Sequence, residues 1–311
     1  MNHTIEVISI VLPVLLTLAA GIVLRKLRIL TNEGIRSIKN LLMNFCIPAI
    51  MFQTFYAASF TWHVLLLVFI MAVVTAAAFF AGKLLQRAAG VSQPLFPYLI
   101  TTFEGGMLGY ALFILLFGQD NLYHIALLDL GNALILFPFL TTFLKLRNEG
   151  TSPAARDVAK GMITPINIVM FSGILVSITG LGALISNSGF GTVLNATLDF
   201  AHTPTSTLIL LVVGYGINFS GIRWGETLRT ILSRVIIIGI LGVIVFFLTG
   251  TLFPADPFYR YGAFLFFCLP PSFVYSVYAK GESEETYLGS CLTLYTFITI
   301  IGFVLLAMFA V

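Results

Sequence analysis

Residues 95–117 read LFPYLITTFEGGMLGYALFILLF, an apolar stretch of membrane-spanning length with a carboxylate and two glycines near its centre. About 20 apolar residues cross the hydrocarbon core of a bilayer as one helix. A glycine pair loosens a helix, and a carboxylate at that depth must face the protein interior, be protonated or be paired. The stretch therefore predicts a broken transmembrane helix, interrupted at Glu104, Gly105 and Gly106 inside the protein.

The composition of the whole chain is that of an integral membrane protein. Of 311 residues, 59% are hydrophobic and 9% are charged, whereas soluble proteins average about 25% charged residues. Disorder requires the opposite balance, and a net charge of +3 provides no basic surface for nucleic acid. We expect an all-α polytopic membrane protein without a soluble domain of ordinary size.

Apolar runs predict ten transmembrane helices joined by short loops. The first run precedes its basic residues, the reverse of a signal peptide, so we expect a retained first helix. The predicted spans are 5–24, 38–57, 62–82, 95–117, 121–144, 162–181, 193–217, 231–250, 258–279 and 286–310.

The basic residues support the count of ten. Cations concentrate in cytoplasmic loops, and 15 of the 16 Lys and Arg residues fall in or beside the loops after helices 1, 3, 5, 7 and 9. Only Arg260 falls on the other side, which predicts that both termini are extracytoplasmic. The 15 are Arg25, Lys26, Arg28, Arg36, Lys39, Lys83, Arg87, Lys145, Arg147, Arg156, Lys160, Arg223, Arg229, Arg234 and Lys280.

The longest polar connection, 145–160, divides the chain into residues 1–150 and 151–311, with five predicted helices in each part. Because five is odd, the second part begins on the opposite face, and homology between the parts makes an inverted repeat. Helices 2 and 7 both carry a proline within the span, Pro48 and Pro204. Helices 4 and 9 are interrupted at corresponding places.

These two interruptions are the candidate binding site. Half-helix N-termini present free N–H groups and the positive end of a helix dipole, which suit an anion. Glycine and proline also serve close packing in membrane helices, which is the alternative for either motif taken singly. We expect substrate contacts from Gly105, Gly106, Gly109, Asn132, Pro270, Pro271 and Ser272.

Acidic residues at membrane depth are the second indication. Glu104, Asp129 and Asp199 fall within predicted spans, and no cation is expected at that depth to pair with them. Glu104 and Asp129 are therefore candidate proton carriers or ligands of a coupling cation. A neutral, hydrogen-bonded acid is the alternative for Asp129. Thr293 and Thr296, at corresponding positions of helix 10, are expected to support the site.

Other chemistries find little support in the sequence. Cys46, Cys268 and Cys291 lie in apolar runs without a CxxC pattern, which is typical of packing residues. HExxH, GxSxG and GxxxxGK[ST] patterns are absent, which disfavours an intramembrane hydrolase or an ATP-driven pump. We expect no enzyme activity and no cofactor beyond a coupling H⁺ or Na⁺.

Four segments, taken in order, resemble the auxin efflux carrier family, whose bacterial members include malate and other organic-acid permeases. The segments are FCIPAIMF (45–52), FEGGMLGYALFILLFGQDNLYHIALLDLGNALILFP (103–138), TPINIVMFSGILVSITG (164–180) and TPTSTLILLVVGYGIN (203–218). The resemblance implies two inverted five-helix repeats, as in bile acid–sodium symporters. Helices 1, 2, 6 and 7 would form a scaffold, often dimeric, and helices 3–5 and 8–10 a mobile transport unit. The broken helices 4 and 9 would cross at the substrate site.

One residue departs from that family. Its members often carry an asparagine beside the break in helix 4, which holds the substrate carboxylate, whereas this chain has Glu104. An acid there repels an anion unless it is protonated. The departure implies either proton coupling built into the site or a different substrate.

The expected function is secondary active transport of a small organic anion, a carboxylate of the auxin or malate type, across the cell membrane. The anion would cross by elevator-type alternating access. Transport would be coupled to H⁺ or Na⁺, or driven by the concentration gradient of the anion itself. Expected partners are the anion, the lipid bilayer and a second copy of the chain, but no nucleic acid. A channel or sensor for small organic anions, without gradient coupling, is the alternative.

Overall fold

The computed structural model describes residues 3–150, 156, 163, 165–219 and 221–310, which are largely helical and contain no β-strand. Within these residues, seven helices are long and apolar enough to cross a membrane, which confirms an all-α polytopic membrane protein. These seven are His3–Lys26, Trp62–Ala88, Phe96–Phe117, Gln119–Glu149, Gly189–Gly216, Trp224–Leu252 and Gly281–Ala310.

The other three predicted spans coincide with shorter or interrupted helices. Span 38–57 falls on two helices joined by a π-helical turn, Leu42–Cys46. Span 162–181 contains a helix of 14 residues, and span 258–279 begins with one of 11 residues. Both are shorter than the roughly 20 residues that cross a bilayer. The count of ten spans therefore stays a prediction.

We number the α-helices of the described residues in chain order. They are α1 (His3–Lys26), α2 (Asn32–Leu41), α3 (Ile47–Tyr56), α4 (Trp62–Ala88), α5 (Phe96–Thr101), α6 (Tyr110–Phe117), α7 (Leu122–Ile135), α8 (Thr142–Glu149), α9 (Pro165–Ile178), α10 (Leu181–Ser186), α11 (Gly189–His202), α12 (Thr205–Gly216), α13 (Trp224–Leu252), α14 (Phe258–Cys268) and α15 (Gly281–Ala310).

Prolines mark two of the helix junctions. Pro48 is the second residue of α3, directly after the π-helical turn that ends α2. Pro204 lies between α11 and α12. A proline lacks the N–H that would continue the ladder of the preceding turn, so both residues stand where a helix is interrupted.

Glycines bring helices of the two sequence halves into close contact. A Cβ on Gly21 of α1 would lie 2.7 Å from the main-chain nitrogen of Tyr215 in α12. A Cβ on Gly173 of α9 would lie 3.2 Å from the carbonyl oxygen of Phe52 in α3. Small residues allow helix backbones to approach this closely in membranes. The pairs α1–α12 and α3–α9 are therefore tightly packed.

The two sequence halves share one apolar core, which extends from Val14 in α1 to Leu306 in α15. The outer faces of the long helices are also apolar, with large exposed side chains such as Phe80, Phe200 and Phe247. An apolar outer surface of this extent is typical of a protein surrounded by lipid. Polar groups are consequently concentrated between the helices.

Candidate functional site

The interruptions of the two broken helices lie against each other. After α5 the backbone becomes extended at Thr102, and helical structure resumes at Gly105. After α14 it is extended at Leu269 and Ser272, before the short 3₁₀ turn Phe273–Val277. The main-chain N–H of Glu104 donates to the carbonyl oxygen of Pro270 at 2.9 Å. The two interruptions are therefore in direct main-chain contact.

The side chain of Glu104 extends the contact between the breaks. Its Oε2 accepts the main-chain N–H of Phe273 at 2.5 Å and the hydroxyl of Ser272 at 3.3 Å. Glu104 is only 6% exposed. Its carboxylate thus occupies the position at the second break where the sequence predicts the carboxylate of a substrate.

The second acid, Asp129, lies beside the first break. Its Oδ2 accepts the hydroxyl of Tyr110 at 2.8 Å, and its Oδ1 accepts Nδ2 of Asn132 at 3.0 Å. A Cβ on Gly105 would lie 2.5 Å from Oδ1, closer than real contacts allow. Glycine at position 105 therefore permits the carboxylate to approach the backbone.

Asn132 completes this group and leaves one atom unused. Its Nδ2 donates to Asp129 and, at 3.4 Å, to the carbonyl oxygen of Phe103. The residue is 1% exposed, and its Oδ1 is buried without a hydrogen-bond partner among the described residues. Buried polar atoms are nearly always paired, so Oδ1 of Asn132 is an unsatisfied acceptor in the wall of the site.

A cavity of about 1050 Å³ joins these groups to the protein surface. Along it, exposure decreases from Arg36, which is exposed, through Lys39, which is half-buried, to the buried Glu104. Its lining includes six of the predicted site residues, namely Glu104, Gly105, Gly106, Asp129, Asn132 and Ser272. A cavity of this volume accommodates a small organic molecule.

Three of the predicted substrate contacts lie outside the lining. A Cβ on Gly109 would lie 2.6 Å from Cδ1 of Leu269, so Gly109 allows the two broken helices to pack closely. Pro270 and Pro271 are buried, and Pro270 contributes its carbonyl oxygen to Glu104 rather than a surface to the cavity. These three residues therefore hold the two broken helices together next to the cavity without lining it.

The residues predicted to support the site also lie outside the lining. Thr293 accepts the main-chain N–H of Asn218 at 3.2 Å. Thr296 donates to the carbonyl oxygen of Leu292 at 2.7 Å, within its own helix. Pro48 and Pro204 end or begin helices without lining the cavity.

Arg234 is one residue that sequence reasoning missed. The sequence groups it with the loop cations and predicts no cation near the acids, but it lies within α13 and is 1% exposed. Its guanidinium donates to the carbonyl oxygens of Leu99 at 2.6 Å, Thr102 at 2.8 Å and Leu269 at 3.0 Å. A cation therefore does occur at the depth of the breaks, where it binds the carbonyl groups that end α5 and α14. An arginine four residues inside the predicted span 231–250 was the available indication.

The third acid of the predicted spans belongs to a different polar cluster. Asp199 is 58% exposed at its side chain and accepts Nε2 of Gln53 at 2.7 Å. His202, one turn later on α11, lies 3.3 Å from the same carboxylate. This cluster bridges α3 and α11, apart from the cavity.

All three cysteines are free, and the described residues contain no group of three or more His, Cys, Asp or Glu side chains placed to hold a metal.

Taken together, the cavity combines basic groups towards its mouth with two carboxylates at its deep end. No protein-family model matches the chain, and no curated protein is significantly similar to it in sequence. The cavity presents side chains of both charges inside a polytopic membrane protein.

Proposed function

We propose that this protein is a secondary active transporter that moves a small organic anion across the cell membrane by alternating access. The observation that carries the proposal is the contact between two broken helices beside a cavity that holds the buried Glu104 and the partly buried Asp129. Non-helical backbone at membrane depth is tolerated only inside protein or beside a water-filled cavity. In transporters, binding sites commonly lie where such helices meet.

The opening of the cavity supports an alternating-access cycle. Exposure falls from Arg36 at the mouth to Glu104 at the deep end, so the site communicates with one side. The mouth is lined by Arg25 and Arg36, which belong to the basic residues that we assign to the cytoplasmic face. We therefore assign this conformation to the inward-facing state, with both termini extracytoplasmic.

The architecture that we propose is that of the auxin efflux carrier family, with ten helices in two inverted repeats of five. The close pairs α1–α12 and α3–α9 correspond to the scaffold helices 1, 2, 6 and 7 of that architecture. The broken helices, with α4, α7, α13 and α15, would form the unit that moves against the scaffold as an elevator. A homodimer through the scaffold completes the proposal.

Proton coupling is favoured over sodium coupling by Arg234. In sodium-coupled carriers, carbonyl groups at the C-terminal ends of broken helices coordinate Na⁺. Here the guanidinium of Arg234 binds the carbonyl oxygens of Leu99, Thr102 and Leu269. Glu104 and Asp129 remain as the groups that can carry a proton at the cavity.

The proposal is tested with the purified protein reconstituted into proteoliposomes. We expect saturable uptake of a radiolabelled carboxylate that responds to a pH gradient and is unchanged when choline replaces Na⁺. Thermal stability measured against mono- and dicarboxylates ranks the substrates beforehand, because a ligand that binds the folded state raises its melting temperature. Uptake that grows linearly with concentration, without saturation or counterflow, would indicate a channel instead.

A further inference from the structure

We infer that the transported molecule carries a protonated amine as well as its carboxylate, so that the substrate class is an amino carboxylate. The inference rests on the proposed transport function and concerns the same cavity. It follows from what the two ends of the cavity offer to a ligand.

The deep end of the cavity offers hydrogen-bond acceptors. The hydroxyl of Tyr110 and Nδ2 of Asn132 both donate to Asp129, and Ser272 and Phe273 donate to Glu104. These donors are thus already engaged with the two acids. Among the side chains, what remains is a pair of carboxylates and the Oδ1 of Asn132, which is buried without a partner among the described residues.

A ligand that fits this end must donate hydrogen bonds. An ammonium group offers three donors and a positive charge, and it matches two carboxylates and an amide oxygen. A simple carboxylate brings only acceptors and a like charge to the same place. Alone, the two acids would indicate no particular ligand, but the unused amide oxygen points to a donor.

The outer part of the cavity has the opposite chemistry. Arg36 and Lys39 lie one turn apart on α2 and line the cavity. Within the described part of the chain, neither has a carboxylate within ion-pair distance. Arg25, nearby, donates to the carbonyl oxygen of Tyr215 at 2.8 Å. Lysine and arginine side chains are the usual partners of a ligand carboxylate.

The two ends together define an orientation for the ligand. The ammonium would lie among Glu104, Asp129 and Asn132, and the carboxylate would lie towards Lys39 and Arg36. The lining residues include three cations and two carboxylates, so an amino dicarboxylate with one net negative charge balances the site.

The test compares molecules that differ only in the amine. Aspartate is paired with succinate, and leucine with 4-methylpentanoate, in thermal-shift and proteoliposome competition measurements on the full-length protein. We expect the amino member of a pair to reach half-maximal effect at a concentration at least about tenfold lower. Asp129→Asn should reduce that preference about tenfold, since the ammonium loses a charged partner.

The control variant is Glu282→Gln, which removes an exposed carboxylate at the start of α15 and should keep the preference. Should succinate and 4-methylpentanoate be favoured over their amino counterparts, the inference fails while the transport proposal stands. Equal preference in the wild-type protein and Asp129→Asn also contradicts it. If no member of either pair binds while another carboxylate of the screen is transported, the inference fails and the transport proposal stands; if no carboxylate is transported, both are rejected.

Discussion

The main-chain N–H of Glu104 donates to the carbonyl oxygen of Pro270 at 2.9 Å, and the carboxylate of Glu104 accepts the N–H of Phe273. One residue of the first broken helix is thus bound twice to the interruption of the second. Movement of either break must carry the other, and the carboxylate at the deep end of the cavity moves with both.

Replacing Pro270 by alanine should impair transport more than stability. Alanine keeps the carbonyl that Glu104 binds but restores an N–H and permits helical backbone, so α14 is less firmly ended. We expect uptake to fall several-fold while the melting temperature changes by a few degrees at most. Pro257→Ala, just before α14, is the matched control. Full activity in Pro270→Ala would mean that this proline serves packing only.

Gly105→Ala should weaken ligand binding. The added Cβ would lie 2.5 Å from Oδ1 of Asp129, so the carboxylate must move away from Tyr110 and Asn132. We expect an affinity loss of at least about tenfold in a thermal-shift titration. Gly289 also lines the cavity but has open space around its Cβ position. Gly289→Ala should therefore bind normally, and equal affinity in the two variants would refute the role of Gly105.

Arg234→Met should destabilise the protein markedly. The substitution leaves the buried carbonyl groups of Leu99, Thr102 and Leu269 without their donor. Hydrogen bonds to charged groups contribute about 1.5–3 kcal/mol each to stability. We expect a clear fall in melting temperature, with Arg234→Lys intermediate because it keeps the charge but not the planar fork. A methionine variant as stable as wild type would show that Arg234 does not stabilise the contact between the two breaks.

Uptake should depend on pH through Glu104 and Asp129. Lowering the pH neutralises these acids, which removes repulsion for a simple carboxylate but removes the partners of an ammonium group. Binding of a simple carboxylate should thus strengthen on acidification, and binding of an amino carboxylate should weaken. Glu104→Gln and Asp129→Asn should flatten either profile while leaving exchange partly intact. Unchanged pH dependence in both variants would exclude them as proton carriers.

The predicted topology is tested by single cysteines in a background without the native thiols. Gly150 follows α8, and Asn187 lies between α10 and α11. With ten spans, an impermeant thiol reagent should reach these positions from opposite faces of the membrane. Labelling of both from the same face would contradict the ten-helix arrangement.

Much of the site is predictable because the bilayer makes interruptions and charges costly. The EGG sequence at 104–106 and the acid Asp129 are anomalous in apolar surroundings, and both lie at the cavity. Ser272 follows a proline pair and lies there too. A charged residue or a helix-breaking residue at membrane depth must lie inside the protein or beside a water-filled cavity. The residue type alone therefore indicates where such a residue lies.

The remainder depends on which helix face meets which neighbour. Gly109 and Thr296 lie in predicted spans, yet one contacts Leu269 and the other bonds within its own helix. Arg234 follows two loop cations in sequence, Arg223 and Arg229, and the rule for cytoplasmic loops groups it with them. Its partners belong to α14, the next helix, and to α5, more than 130 residues earlier, so only the tertiary structure identifies it as the buried cation between the breaks.

The central claim, that this cavity binds and carries a small carboxylate-bearing molecule, is tested most directly by counterflow. Proteoliposomes loaded with unlabelled ligand from the thermal-shift screen are diluted into a trace of the same labelled ligand. A carrier accumulates label transiently above equilibrium, and Gly105→Ala should reduce that peak several-fold while Gly289→Ala preserves it. Label that only equilibrates, or an equal peak in protein-free liposomes, would contradict the account.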